Sequence, residues 1–282
     1  MARKKASKTI SIEDELKELR EERENLLDFK LNFKFKTKKQ KELFNSILDN
    51  EITMCSAFAG VGKGFISICA ALQLLKRPEN NYKKIVIALP TELDKSEDLG
   101  FLPSGLESKM FNYTIPFREN IIKLFEDSGQ NGKELLNKLI GQEIITFIPL
   151  SYLRGITFTD SIVICDEAQN VSVGSFLKLL TRIGQNTKYV IIGDRYQIEA
   201  ASIKYGRNKS GLVYAIEKLK GLKNINIVEF ELKDIMRNDL IIDILKTWSP
   251  EIYENLEKHD LELENNRDLN EENADEIASN PN

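Results

Sequence analysis

Between positions 52 and 230 the apolar residues fall into short β-branched runs at 52–56, 84–89, 144–148, 162–165, 189–192 and 225–230. Stretches with helical spacing intervene at 65–75, 117–127, 133–140, 173–183 and 210–219. Runs with so little polar alternation predict strands buried on both faces. Their alternation with helices predicts an α/β fold built on a doubly wound parallel sheet. Upstream, residues 11–28 set Leu16, Leu19, Leu26 and Leu27 among dense charges, with Ser11 as a cap, which predicts an exposed helix with one narrow apolar seam. Its span is too short to specify a coiled coil, so a solvated or packing helix is expected. Beyond Trp248-Ser249-Pro250 the chain turns to Glu, Asp and Asn, and residues 256–282 are expected to be disordered. The expected partition is a basic N-terminus with a helix over 1–32, one α/β domain over 33–250 and an acidic tail over 251–282.

Composition narrows the chemistry. With 41% hydrophobic and 30% charged residues and no apolar run of about 18, a membrane span is not expected. Cys55, Cys69 and Cys165 all fall in predicted core elements rather than at framework spacing, and the basic start leads into no apolar signal core, so a reducing cytoplasm is expected. His259 is the single histidine, which leaves histidine-bearing zinc sites and Ser-His-Asp chemistry with almost nothing to work with. The net charge of -4 is uneven: residues 256–282 hold nine acids against two bases, so the rest of the chain is +3. The body is mildly basic and the tail repels polyanions.

The chemistry-bearing residues lie where the predicted strands end. Directly after 52–56 comes AFAGVGKG, in which Gly60 and Gly62 let backbone N–H groups converge and Lys63 supplies a long cation, as a phosphate-cradling loop requires. The loop departs twice from G-x-x-x-x-G-K-[ST]: Ala57 replaces the first Gly, and Gly64 replaces the hydroxyl residue that holds Mg²⁺. Strand 162–165 ends in Asp166-Glu167-Ala168-Gln169, an acid pair at the carboxyl edge where ligands collect. One acid can hold a metal while its neighbour orients water. Strand 189–192 ends in Gly193-Asp194-Arg195-Tyr196-Gln197, which taken alone reads as an ordinary strand-to-loop turn.

Taken together, AFAGVGKG, DLGFLPSGLESKM (98–110), LRGITF (153–158), VICDEAQN (163–170), LTRIGQNTKYVIIGDRYQ (180–197) and DIMRN (234–238) resemble the PhoH family, whose ATPase domain is similar to the first lobe of superfamily 1 helicases. The resemblance runs from about residue 38 to residue 238. It implies a P-loop NTPase with a RecA-like sheet that binds ATP with Mg²⁺. By the same resemblance Ala59, Gly60, Val61, Gly62, Lys63 and Gly64 form the nucleotide cradle, Asp166 is the metal ligand, Glu167 activates water, and Gln197 senses the γ-phosphate. Arg237 corresponds to a charge stabiliser for phosphoryl transfer. Gln40 falls where related proteins read the adenine edge, although a helix-surface glutamine reads equally well. Arg154 and Arg182 match too, with salt-bridged structural roles the more natural reading. Leu89-Pro90 stands where the family commonly has Arg-Pro, which removes a charge from a segment similar to a strand-contacting motif of helicases.

The functional expectation is an ATPase that acts on or with single-stranded RNA or DNA. Only one nucleotide-binding lobe fits the length, so the site is expected to be completed across the interface of a homo-oligomer, a ring such as a hexamer. The alternative is a nucleotide-responsive binding protein in which Gly64 has slowed hydrolysis. A third reading, an interaction protein that has lost nucleotide binding, is opposed by Lys63 and the Asp166-Glu167 pair.

Overall fold

The near-continuous apolar runs become β1 (Ile52–Ser56), β2 (Lys84–Leu89), β3 (Ile145–Pro149), β4 (Ser161–Cys165), β5 (Thr187–Gly193) and β6 (Ile225–Glu229). In the computed structural model, which describes residues 12–58, 60–89, 103–150, 156–195, 210–235 and 239–279, they pair wholly in parallel in the order β3-β2-β4-β5-β1-β6. Every residue of β4 and β5 is buried, whereas β3 and β6, at the two edges, keep half-exposed positions. That gradient is why the central strands read as unbroken apolar runs.

Helices α1 (Ile12–Leu27), α2 (Lys38–Asp49), α3 (Lys63–Leu75), α4 (Pro103–Glu126) and α5 (Gly132–Gly141) precede β3 in the chain. α6 (Val173–Leu180) and α7 (Gly211–Leu219) flank β5, and α8 (Asp239–Trp248) and α9 (Pro250–Ser279) close the described chain. α2 to α5 cover one face of the sheet over a core that includes Leu43, Ile68, Leu72 and Phe125. α6 and α7 cover the other, over Met54, Val163, Phe176 and Tyr189. The doubly wound α/β architecture is as expected.

The end of α1 is anchored, since Leu26 and Leu27 pack on the first core and Phe29 just beyond it is buried there. α2 was not expected from the periodicity. Thr37 caps it by accepting from the Gln40 N–H, and Leu43 and Ile47 are buried along one face. α4 also begins earlier than expected, running through Pro116 rather than starting after it. In the turn before Pro116, the Thr114 hydroxyl donates to the Phe111 carbonyl at 2.7 Å.

The disorder expected over 256–282 is overturned for the start of that segment. α9 opens with Pro250 in the favoured first-turn position, Leu256 is 0% exposed, and Asp260 accepts from the Leu232 N–H at 2.8 Å. An acidic composition predicts disorder when no apolar face is available to bury, but here Leu256 and Asp260, one helical turn apart, grip the turn after β6.

Candidate nucleotide site

The phosphate loop leaves β1 at Ser56, and its first residue, Ala57, donates to the Gly193 carbonyl at 2.9 Å. Gly60 and Gly62 both have left-handed φ values, 93° and 84°, which a side chain would strain. Gly62 caps α3, so Lys63 and Gly64 lie in the first turn, where unpartnered N–H groups and the helix dipole favour an anion. Val61 is buried, and its carbonyl accepts from Gln40 Nε2 at 2.8 Å. The Gln40 Oε1 in turn accepts from the Lys36 N–H at 2.8 Å. Gln40 is therefore not a surface glutamine: it is buried and holds the loop against the start of α2.

β4 delivers the acid pair to the same edge. A Cβ at position 64 would stand 3.6 Å from Asp166 Oδ2, so the first turn of α3 lies beside the Asp166 carboxylate, with room for a small side chain between them. Burial pushes the Asp166 carboxyl up to about 6, with Glu167 adding to the rise while Lys63 and the Glu167 N–H oppose it. That N–H donates to Asp166 Oδ1 at 2.8 Å. Glu167 is exposed and takes a left-handed φ of 51°, a conformation that costs a non-glycine residue about 1 kcal/mol. Its Oε2 accepts from Gln169 Nε2 at 2.6 Å.

A second cluster, unforeseen in the sequence, lies on the β6 side of β1. Arg195 donates through Nε to Ser56 Oγ at 3.0 Å and through its guanidinium to Glu229, and His259 Nε2 is 3.4 Å from Glu229 Oε1. Gly193 is required for space rather than for φ, since a Cβ there would stand 2.6 Å from Gln169 Oε1 and 2.7 Å from Leu212 Cδ2. The buried position of Gln169 could have been anticipated only from its partner, Asp194, which lies in another motif. Arg182 sits by the amino end of β4, at the edge of the sheet opposite the loop, where its carbonyl accepts from the Phe158 N–H. Ala59, Arg154, Gln197 and Arg237 lie outside the described residues.

Residues 32–249 match the family described as PhoH-like protein. The chain belongs to the PhoH-like family. It is 32% identical over 217 residues to a PhoH-like protein of Bacillus subtilis, covering 77% of this chain and 64% of that one. To the protein PhoH of Escherichia coli it is 29% identical over 212 residues, covering 74% and 56%. The chain thus spans less than two thirds of the length of these relatives. A crystal structure of the Pif1 helicase from Candida albicans matches with a TM-score of 0.37 and 16% identity, covering 76% of this chain and 44% of that one. The match to the PhoH-like family spans the phosphate loop, the acid pair and the end of β5 together, so this is a nucleotide-binding P-loop protein. No helix among the described residues is long and apolar enough to cross a membrane.

Proposed function

We propose that this PhoH-like protein binds ATP with Mg²⁺ at the carboxyl edge of β1 and β4 and hydrolyses it. The observation that carries the reading is the juxtaposition of the first turn of α3, with Lys63 and Gly64, and the Asp166 carboxylate, whose charge Lys63 stabilises. Lys63 and the N–H groups after Gly62 hold the phosphates, and Glu167 takes the proton of the attacking water. The residues fit a divalent cation: Asp166 is a carboxylate whose charge is disfavoured by its surroundings, and position 64 leaves room beside it. Bound there, Mg²⁺ supplies charge neutralisation on the phosphates. Gln197 as sensor, Gln40 at the adenine and Arg237 as charge stabiliser are carried over from the family. Phosphate release by the purified protein, with and without single-stranded RNA and DNA, tests the reading. Release at the level of a Glu167→Gln control would reject it.

Arg195 at this edge is engaged by Ser56 and Glu229, which supports completion of the site by an arginine from a neighbouring copy, in a homo-oligomeric ring. A monomeric mass in light scattering with ATP present contradicts that part. Action on single-stranded RNA or DNA is supported by the family resemblance and by Phe111, 51% exposed on α4 with the Arg118 guanidinium 5.4 Å from its ring centre. The second reading, nucleotide-responsive binding with little hydrolysis, is favoured by Gly64, which offers the metal no hydroxyl.

A further inference from the structure

The Gln169 side chain joins two elements that the sequence separates. It is 1% exposed, and both ends of its amide are committed: Nε2 donates to Glu167 Oε2 at 2.6 Å, and Oε1 accepts from the Asp194 N–H at 3.0 Å. The fold has been shaped around it. A Cβ at Gly193 would crowd Gln169 at both Oε1, 2.6 Å away, and the backbone N, 3.0 Å away, and Glu167 keeps a left-handed backbone at the site edge. An amide is the side chain for this place because it offers a donor to a carboxylate at one end and an acceptor to a backbone N–H at the other. A carboxylate would repel Glu167, and an apolar residue would leave the Asp194 N–H without this partner.

We infer that Gln169 is a positioning residue that fixes the Glu167 carboxylate for water activation and ties it to the end of β5, so that the acid pair and Asp194 move as one unit. This rests on the hydrolytic reading above for its catalytic part only, because the link from Glu167 to Asp194 is independent of turnover. A carboxylate freed of this restraint still allows nucleotide to bind, but it samples geometries from which proton transfer is slow.

The test uses Gln169→Leu and Gln169→Met, each checked for an intact thermal transition, with two readouts. In steady-state phosphate release, kcat falls about 100-fold while KM and the affinity for a fluorescent ATP analogue stay within a few-fold of wild type. In hydrogen–deuterium exchange of the nucleotide-free protein, the peptide containing Asp194 exchanges faster in Gln169→Leu and in Glu167→Ala, and no faster still in the double variant, as one shared link requires. A kcat equal to wild type, or a loss shared equally by nucleotide affinity, overturns the catalytic part. Unchanged exchange at Asp194 overturns the link. If the wild type binds nucleotide yet releases no phosphate, the hydrolytic reading fails separately, and the exchange result alone decides whether Gln169 couples the two segments.

Discussion

Two charge clusters flank β1 at the same edge of one sheet, and they are built on opposite principles. On the β4 side, Asp166 and Glu167 are adjacent acids, Lys63 is the one cation acting on Asp166 among the described residues, and burial pushes the Asp166 carboxyl up to about 6. On the β6 side, burial also pushes the Glu229 carboxyl up, but His259 and Arg195 more than reverse it and hold the carboxyl below its usual range. Among the described residues, one cluster is short of positive charge and the other is satisfied by its own side chains. A buried site with a charge deficit is what a cationic ligand fills, whereas a self-neutralised one serves as a clasp. The clasp joins β1, the second residue beyond β5, β6 and α9 through Ser56, Arg195, Glu229 and His259.

The largest effect that separates the two is on rate. Glu167→Gln removes the base from the unsatisfied cluster and lowers phosphate release by about 10²–10⁴-fold, while ATP binding survives. Release kinetics alongside calorimetric ATP binding check it. The corresponding change in the clasp, Glu229→Gln, leaves a partly buried Arg195 without its anionic partner and costs about 2 kcal/mol of stability in chemical denaturation. Because the folded pKa of Glu229 is lowered, its contribution is present above the unfolded glutamate range and is lost as pH falls through the folded value. The stability difference between wild type and variant should therefore close in acid.

Asp166→Asn should act in the opposite direction. The folded pKa is raised from 3.8 to about 6, so the carboxyl costs nothing below the unfolded value, and the full cost is reached once pH has risen past about 6. The variant should be more stable than wild type by about 1–2 kcal/mol at pH 7, allowing for partial exposure, and indistinguishable from it near pH 3. Its Mg²⁺-dependent gain in ATP affinity should be absent. A loss of stability at neutral pH would mean that Asp166 is part of a clasp after all.

What was legible divides along the same line. The six strands were placed within one or two residues because strands buried on both faces write their burial as unbroken apolar runs, and the loop was visible because Gly60 and Gly62 meet a local backbone demand. The acid pair follows β4 directly. The clasp could not be read, since Arg195 and Glu229 are 34 positions apart and neither falls in a pattern that names the other. Gln169 was visible as a letter of a motif, but its service to Asp194 is a tertiary contact 25 positions away. The docked start of α9 was hidden by its own composition, in which one Leu256 outweighs the charges around it.

The smallest expected effect bears most directly on the charge deficit. Gly64 lies in the first turn of α3 without a left-handed φ, and among the described residues an added Cβ meets only Asp166 Oδ2, at the ordinary contact distance of 3.6 Å. Gly64→Ser is therefore sterically free, and by helix propensity alone it should raise stability by about 0.5 kcal/mol. Its hydroxyl falls beside the carboxylate where it can complete a metal's oxygen shell, so turnover should increase several-fold at limiting Mg²⁺ and converge on wild type at saturating Mg²⁺. A titration of phosphate release against Mg²⁺ distinguishes this from a general gain. If the two curves differ only by a constant factor, Gly64 is not what limits the metal site, and the deficit around Asp166 must be met by carboxylate, phosphate and water alone.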